Sequence, residues 1–205
     1  MIQNKNISAL LLAAGQSSRM RGIKQLLPWK GTFLLQHALN TLIKLGLEKV
    51  FVVLGANSEK IRHQLDFESQ LVEVIHNPTW DKGLGNSISV GIEHILKDNV
   101  EVAGVLVCLA DQPLVTDTYF KRLQSHFETS IYPIVASNYK NRVGVPAIFS
   151  GTVLNELLSL DSDFGAKHIL TKYQSSLVAL DTNSILKDID TPEEYEKLYN
   201  EHHHQ

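Results

Sequence analysis

A polar loop that combines small residues with cations follows the first apolar segment of the chain, residues 7–13. The loop contains Gly15, Ser17, Ser18, Arg19 and Lys24. Small residues let a ligand approach the backbone closely, and exposed N–H groups together with two cations form a cradle for an anion. The loop contains neither G-x-x-x-x-G-K-[ST] nor G-x-G-x-x-G, two common nucleotide-binding patterns. It is therefore either a phosphate site of another kind or a polar surface loop with incidental charge.

Three aspartates are candidates for a metal site. Asp111 comes just after the apolar segment 102–109, where a carboxylate is either a turn or capping residue or a metal ligand. Asp188 and Asp190 alternate along an extended segment, so their side chains point to opposite faces and only one can easily meet Asp111. Two carboxylates, together with phosphate oxygens and waters, suit Mg²⁺, a hard octahedral cation. Asp190 could instead cap the helix that follows it.

Apolar strands and amphipathic helices alternate along the chain and must position these residues. We predict strands over 7–13, 50–54, 71–75, 102–109, 131–137, 142–149, 177–180 and 184–187. The helices are expected over 33–45, 57–67, 87–96, 116–127, 151–160, 164–173 and from Thr191 onward. The pattern predicts an α/β fold, a Rossmann-like three-layer sandwich with a mostly parallel central sheet, helices on both faces and a small β-hairpin extension in the C-terminal half. Ligands of such sheets bind beyond the carboxyl ends of the strands.

The composition is that of an ordinary globular protein. The 205 residues are 43% hydrophobic and 20% charged, with a net charge of −3, which excludes a disordered or collagen-like chain. The single cysteine, Cys108, excludes an intramolecular disulfide and is expected in the core of a strand. No apolar run is long enough for a membrane span, and no signal peptide is recognisable. We expect one domain over 1–200 with a tail over 201–205, a cytoplasmic location, and neither nucleic acid nor membrane as a partner.

Five segments of the chain resemble the MobA-like nucleotidyltransferase family. The loop at residues 11–24 is similar to the family signature L-A-[AG]-G-x-S-x-R-M-G-x-x-K. Four later segments agree in order and spacing, at residues 76–78, 83–88, 109–113 and 188–192. The pair Ala13-Ala14 and the sequence after Lys24 look most like the molybdenum cofactor cytidylyltransferase branch. The resemblance covers nearly the whole chain.

The resemblance implies a role for each matching residue. The nucleoside triphosphate would be held by Leu12, Ala13, Ala14, Gly15, Ser17, Ser18, Arg19, Lys24, Asn77, Gly83, Gly85 and Ser87. The catalytic residues would be Arg19 and Lys24, on the phosphates, and Asp111. The metal, Mg²⁺, would be held by Asp111 and Asp190, and Asp188 would be structural. Without the resemblance, Gly83 and Gly85 indicate equally well a turn and the start of a helix.

The acceptor half of the site matches the family less closely. The resemblance assigns acceptor binding to Gly144, Pro146, Asp163, Gly165 and Lys167. Val145 replaces a His of the family pattern, Ser162 replaces a Gly, and Lys167 replaces an Arg. Lys167 keeps the charge of the Arg but cannot bind a phosphate through two parallel hydrogen bonds. In addition, Arg21-Gly22 stands where the family has Gly first.

The resemblance implies a Mg²⁺-dependent transfer of CMP from CTP to the phosphate of molybdopterin or its molybdenum-loaded form, with release of pyrophosphate. A molybdoenzyme or its chaperone would be a further partner. One alternative is a guanylyl- or cytidylyltransferase that acts on another phosphorylated small molecule, such as a sugar or polyol phosphate. A second alternative is a non-catalytic nucleotide-binding maturation factor for a molybdoenzyme. Ala13-Ala14 favours CTP over GTP, because guanylyl members often have Ala-Gly-Gly there.

Overall fold

The computed structural model describes residues 6–97, 102–161, 163–183 and 185–203. The strands are β1 (Ile7–Ala13), β2 (Pro28–Trp29), β3 (Thr32–Phe33), β4 (Val50–Leu54), β5 (Val72–His76), β6 (Gly104–Leu109), β7 (Ile134–Asn138), β8 (Val143–Ser150) and β9 (Leu177–Asp181). The helices are α1 (Leu34–Ile43), α2 (Ser58–Gln64), α3 (Leu84–Lys97), α4 (Asp117–Thr129), α5 (Leu154–Leu157), α6 (Lys167–Lys172) and α7 (Pro192–His203). None of these helices combines the length and the apolar character that a membrane crossing requires.

A mostly parallel sheet of seven strands forms the centre of the molecule, in the order β5-β4-β1-β6-β8-β7-β9. Only β8 runs antiparallel to its neighbours, β6 and β7. The predicted fold class is confirmed. The predicted hairpin of β7 and β8 forms, but it is part of the central sheet. The reason is that β8 carries apolar side chains on both of its faces: Ala147, Ile148 and Phe149 are all fully buried.

The two faces of the sheet bury two separate hydrophobic cores. Successive residues of β1 point to opposite faces, as they must in a strand. Leu10 shares one core with Ile88 of α3, and Leu11 shares the other with Leu39 of α1. The central strands are therefore covered on both sides, which explains why their sequences are apolar throughout.

Several predicted elements differ from those observed. The strand predicted at 184–187 does not form over 185–187, because local turns use the backbone N–H groups of Ile185 and Lys187; residue 184 lies outside the described residues. The helices predicted over 151–160 and 164–173 shorten to α5 and α6. Gly165, with φ of 54°, lies just before α6.

The last residues differ from the expected tail. Glu201 to His203 form the end of α7, whereas 204 and 205 lie outside the described residues. The ring of His203 stacks on Tyr199 and contacts Trp29 edge-on. Its Nε2 accepts a hydrogen bond from the N–H of Lys30 at 2.7 Å. Packing against Trp29 therefore orders residues that the sequence places in a tail.

Candidate active site

A cleft with a volume of about 410 Å³ opens where β1 and β6 end. Its wall consists of Leu12, Ala13, Ala14, Gly15, Gln16, Ser17, Ser18, Lys24, Gln25, Leu34, Trp80, Asp81, Gly83, Leu84, Ser87, Leu109, Ala110, Asp111 and Asp163. Carboxyl ends of parallel strands are where open α/β sheets bind their ligands. The position of the cleft therefore follows from the topology of the sheet.

The loop after β1 is held in shape by Gln25, a residue to which we assigned no role from the sequence. Gln25 is 5% exposed, and its Nε2 donates to the carbonyl oxygens of Ala13 at 2.8 Å and Gly15 at 3.0 Å. Its Oε1 accepts from the hydroxyl of Ser17 at 3.3 Å. The N–H of Lys24 in turn donates to that hydroxyl at 3.1 Å. A single amide thus joins the beginning and the end of the loop.

Lys24 lies between two carboxylates that come from distant parts of the chain. Its Nζ is 2.6 Å from Oδ2 of Asp111 and 3.2 Å from Oδ1 of Asp190. The side chains of Lys24 and Asp111 are only 16% and 22% exposed. Arg19 approaches Asp190 from the solvent side, with 3.2 Å between the guanidinium and Oδ2. Two cations and two carboxylates therefore form one charged cluster at the floor of the cleft.

The pKa values of Asp111 and Lys24 are both shifted in this cluster. Burial raises the pKa of Asp111, and the ammonium of Lys24 works against that rise. Burial also disfavours the charged form of Lys24, but the two carboxylates outweigh it and raise the pKa of Lys24. The ammonium therefore remains protonated at neutral pH.

Asp111 and Asp190 suit a divalent metal whose remaining ligands come from a nucleotide and from water. No described group donates a hydrogen bond to Oδ1 of Asp111, although this oxygen is buried. Within the described ranges, no cluster of three or more His, Cys, Asp or Glu side chains could hold a metal. Two carboxylates leave most positions of an octahedral Mg²⁺ to phosphate oxygens and waters, the usual arrangement in nucleotide enzymes. Asp111 and Asp190 suit such a site.

Asp188 has a different hydrogen-bond partner from the two carboxylates of the cluster, although its charge acts on Asp111. Oδ1 of Asp188 accepts a hydrogen bond from Nε2 of Gln112 at 2.8 Å. The two aspartates of the segment thus point in different directions, as their alternation predicts, and Asp190 is the one that shares Lys24 with Asp111. The N–H of Ile189, between them, donates to the carbonyl of Asp111 at 3.0 Å, which joins the two segments directly.

The segment after β5 forms the second wall of the cleft. Asn77 is fully buried, and its amide donates to Oδ1 of Asn86 at 3.0 Å and to the hydroxyl of Ser87 at 3.1 Å. Asn77 therefore braces the beginning of α3, and it is absent from the wall of the cleft. Gly83 has a φ of 103°, and a Cβ there would lie 2.1 Å from Oδ1 of Asp163. Close approach to Asp163 explains why this position needs glycine.

Asp163 is the residue of the acceptor motif that reaches the cleft. Gly165 packs on Leu84, since a Cβ at Gly165 would lie 2.9 Å from Cδ2 of that leucine. Gly144 and Pro146 lie in β8, and Lys167 is the first residue of α6. Two segments distant in sequence, around Gly83 and around Asp163, therefore meet at one side of the cleft.

The structure brings most of the predicted nucleotide residues together. On the wall of the cleft are Leu12, Ala13, Ala14, Gly15, Ser17, Ser18, Lys24, Gly83, Ser87, Asp111 and Asp163. Arg19 and Asp190 join them through the charged cluster. The predicted residues that do not line the wall are Asn77, Gly85, Gly144, Pro146, Gly165 and Lys167. Trp80 also lines the cleft and packs against the hydrophobic core.

Comparisons with known proteins agree with this architecture. Over 201 residues, the chain is 30% identical to nicotine blue oxidoreductase of Paenarthrobacter nicotinovorans, covering 94% of this chain and 96% of that protein. It is 29% identical to the purine catabolism protein PucB of Bacillus subtilis (strain 168), covering 92% and 94%. It is 25% identical to molybdenum cofactor cytidylyltransferase of Escherichia coli (strain K12), covering 92% and 93%.

Solved structures show the same fold. Rv0371c from Mycobacterium tuberculosis H37Rv superposes with a TM-score of 0.80 at 26% identity, covering 95% of this chain and 98% of that one. A complex of Rv0371c with manganese superposes with a TM-score of 0.78, at the same identity and coverage. Residues 9–177 match the family of the MobA-like NTP transferase domain. The chain therefore belongs to the MobA-like nucleotidyltransferase family.

Proposed function

We propose that the protein transfers CMP from CTP to the phosphate of molybdopterin or its molybdenum-loaded form, with release of pyrophosphate. The observation that carries the proposal is the charged cluster of Lys24, Asp111 and Asp190 beneath a loop of small residues. For nucleotidyl transfer, the cation can offset the charge of the triphosphate, the two carboxylates can bind a metal, and exposed backbone N–H groups can bind the phosphates. The choice of CTP and of the acceptor rests on the Ala13-Ala14 pair and on similarity to the Escherichia coli cytidylyltransferase.

The reaction is a displacement at phosphorus. An oxygen of the acceptor phosphate attacks the α-phosphorus of CTP, the bond from that phosphorus to the bridging oxygen breaks, and pyrophosphate leaves with the bonding electrons. A phosphate monoester is largely deprotonated at neutral pH, since its second pKa is about 6. Neither a catalytic His nor a catalytic Cys is therefore required.

The protein's own residues supply alignment and charge neutralisation, the main contributions in phosphoryl-transfer enzymes. Lys24 and Arg19 bind the triphosphate and offset its charge. Gln25 holds the loop after β1 in shape. The backbone N–H groups of this loop bind the phosphates. Gly83, held against Asp163, closes the side where the sugar and base lie.

Mg²⁺ suits the oxygen ligands that Asp111 and Asp190 offer. When bound, it supplies charge neutralisation at the triphosphate. The unpaired, buried Oδ1 of Asp111 is the observation on this chain that supports the assignment. The ammonium of Lys24 balances the same carboxylates in the free protein.

The deciding experiment is pyrophosphate release with molybdopterin, Mg²⁺ and each of CTP, GTP, ATP and UTP in turn. We expect release with CTP and formation of a cytosine dinucleotide. Release with GTP alone would transfer the assignment to guanylyl transfer. Binding of nucleotide by calorimetry without any release would instead support the non-catalytic maturation factor.

The acceptor could be a different phosphorylated small molecule. The observation that favours this second candidate is Val145 in place of the family's His, together with Lys167 in place of an Arg. The same pyrophosphate assay with sugar and polyol phosphates tests it. Turnover with one of these and none with molybdopterin would keep the cytidylyl transfer and replace the acceptor.

A further inference from the structure

The pairing of β7 with β8 is interrupted at the segment that resembles the acceptor motif. Ala136 pairs with Ala147, but the next pair is Ser137 with Gly144. Val145 and Pro146 are therefore bypassed by the ladder. Proline has no N–H to give to a neighbouring strand, so a break in the ladder is expected at this position.

Two side-chain hydroxyls replace the missing backbone partners. Ser137 donates to the carbonyl of Pro146 at 2.6 Å, and Tyr139 donates to the carbonyl of Val145. The hydroxyl of Tyr119 donates to that of Ser137 at 2.8 Å. The bypassed segment is thus held by one hydrogen bond on each of its two carbonyls.

Of these two bonds, the one from Tyr139 leads back, among the described residues, to the loop that contains Asp111. Gln112, 3% exposed, donates from Nε2 to the hydroxyl of Tyr139 at 2.8 Å and to Oδ1 of Asp188 at 2.8 Å. The orientation of this amide is determined by Asp188, because an ionised carboxylate only accepts. Gln112 directly follows Asp111 in the sequence. Two successive hydrogen bonds, from Gln112 to Tyr139 and from Tyr139 to Val145, therefore connect the loop of Asp111 with Val145.

The tyrosine ring is held independently of its hydroxyl. A Cβ on Gly144 would lie 2.8 Å from Cε2 of the ring, so the glycine packs directly against Tyr139. The guanidinium of Arg142 lies 4.9 Å from the ring centroid. Burial raises the pKa of Tyr139 to about 12, so the hydroxyl remains a donor at neutral pH.

We propose that Tyr139 is a positioning residue, which sets the distance between segment 144–146, where the resemblance places acceptor binding, and Asp111 through Gln112. The proposal rests on the proposed function, because it takes that segment to bind the acceptor. Attack at phosphorus requires reacting atoms about 3–3.5 Å apart, and a shift of about 1 Å costs roughly a hundredfold in rate. Tyr139 does not line the cleft; it acts through the carbonyl of Val145.

The test is Tyr139→Phe, which removes the hydroxyl and keeps the ring. We expect kcat/KM for the acceptor to fall roughly ten- to a hundredfold, as for other supporting hydrogen bonds, while the Kd for CTP measured by calorimetry stays unchanged. Tyr119→Phe is the matched control. It removes a buried hydroxyl of α4 that bonds Ser137 in the same strand pair and is not bonded to Gln112. This control should keep its acceptor kinetics.

A double-mutant cycle with Gln112→Leu tests the connection itself. If Tyr139 acts through Gln112, the double variant should lose no more than the more impaired single variant. Equal loss in Tyr139→Phe and Tyr119→Phe, or strict additivity with Gln112→Leu, would overturn the proposal.

Hydrogen exchange separates this proposal from the proposed function. The amides of 143–147 should exchange faster in Tyr139→Phe than in the unmodified protein or in Tyr119→Phe, whether or not any acceptor reacts. If the unmodified protein has no transferase activity, the proposed function fails. The hydrogen-exchange rates of these amides then still show whether Tyr139 holds the segment in position. Unchanged exchange would refute the positioning role even in an active enzyme.

Discussion

Nζ of Lys24 lies 2.6 Å from Oδ2 of Asp111, although 87 residues separate the two along the chain. The same ammonium is 3.2 Å from Asp190, so it bridges the two carboxylates that we propose as metal ligands. A divalent cation bound by these carboxylates, for example through the unpaired Oδ1 of Asp111, would compete with the ammonium for their negative charge. A triphosphate offers the ammonium new partners, so we expect metal and nucleotide to bind together.

Lys24→Met should therefore separate metal binding from nucleotide binding. Without the competing ammonium, Mn²⁺ alone should bind at least about tenfold more tightly, corresponding to about 1.4 kcal/mol, while CTP binds more weakly. Calorimetry with Mn²⁺ and with CTP in separate titrations measures both. Lys97→Met, which removes an ion pair with Glu93 on the surface of α3, is the control and should change neither. Weaker metal binding in Lys24→Met would contradict the expected competition.

Asp111→Asn tests the carboxylate with almost no change in shape. The amide cannot replace the charge, and we expect kcat to fall roughly 10²–10³-fold, comparable to the loss of a key electrostatic group in other enzymes. Circular dichroism should show an intact fold. Asp81→Asn, at another aspartate of the same cleft, should retain most activity. Full activity of Asp111→Asn would remove this residue from the site.

Gln25→Leu tests the amide that joins the ends of the loop. The substitution removes the donor to the carbonyls of Ala13 and Gly15, and the buried carbonyl of Ala13 left unpaired should cost about 1–3 kcal/mol. We expect a lower melting temperature and at least about tenfold weaker CTP binding. Gln174→Leu makes the same change at an exposed glutamine and should alter neither property. Unchanged CTP affinity in Gln25→Leu would show that the loop keeps its shape without the amide.

Gly83→Ala tests the contact between the nucleotide and acceptor segments. The added Cβ would meet Oδ1 of Asp163 at 2.1 Å, in a backbone conformation that disfavours side chains. Steric conflict and backbone strain should together cost about 1–3 kcal/mol of unfolding free energy. Gly22→Ala is the control, since nothing lies within 4 Å of its added Cβ. Denaturant unfolding of both variants gives the comparison, and equal stability would contradict the described contact.

Cys108 should be chemically silent in the folded protein. Its thiol is 1% exposed in β6, and burial raises its pKa, so the reactive thiolate does not form at physiological pH. Iodoacetamide at pH 8 should leave the native protein unlabelled and label one site after unfolding in guanidinium. Rapid labelling of the native protein would mean that β6 opens readily to solvent.

The apolar strands could be predicted closely because their signal is local. The bounds of β1 and β4 agree with the prediction, since residues buried on both faces leave an uninterrupted apolar run. Ile185 and Leu186 gave a similar signal but pack against the core from an irregular segment. A short apolar run does not reveal whether its backbone pairs with another strand.

The positions of the charged cluster were predictable, but its supporting polar residues were not. Asp111 follows the end of β6 and Lys24 lies in the polar loop after β1, and the alternation of elements reveals both places. Gln25 and Gln112 are buried polar residues whose partners lie elsewhere in the fold, so no local pattern marks them. Asn77 was expected to bind the nucleotide, whereas its contacts are with Asn86 and Ser87.

The charged cluster also has a consequence for protein synthesis. Lys24 meets Asp190 across 166 residues, so the second carboxylate leaves the ribosome long after the loop it faces. A nascent chain in which β1, β4 and β6 have already emerged can pair these strands, yet it still lacks one of the two carboxylates of the charged cluster. We therefore expect the proposed affinity for Mg²⁺ and nucleotide to arise only after residue 190 has emerged, and a chain shortened before residue 190 to lack the complete charged cluster.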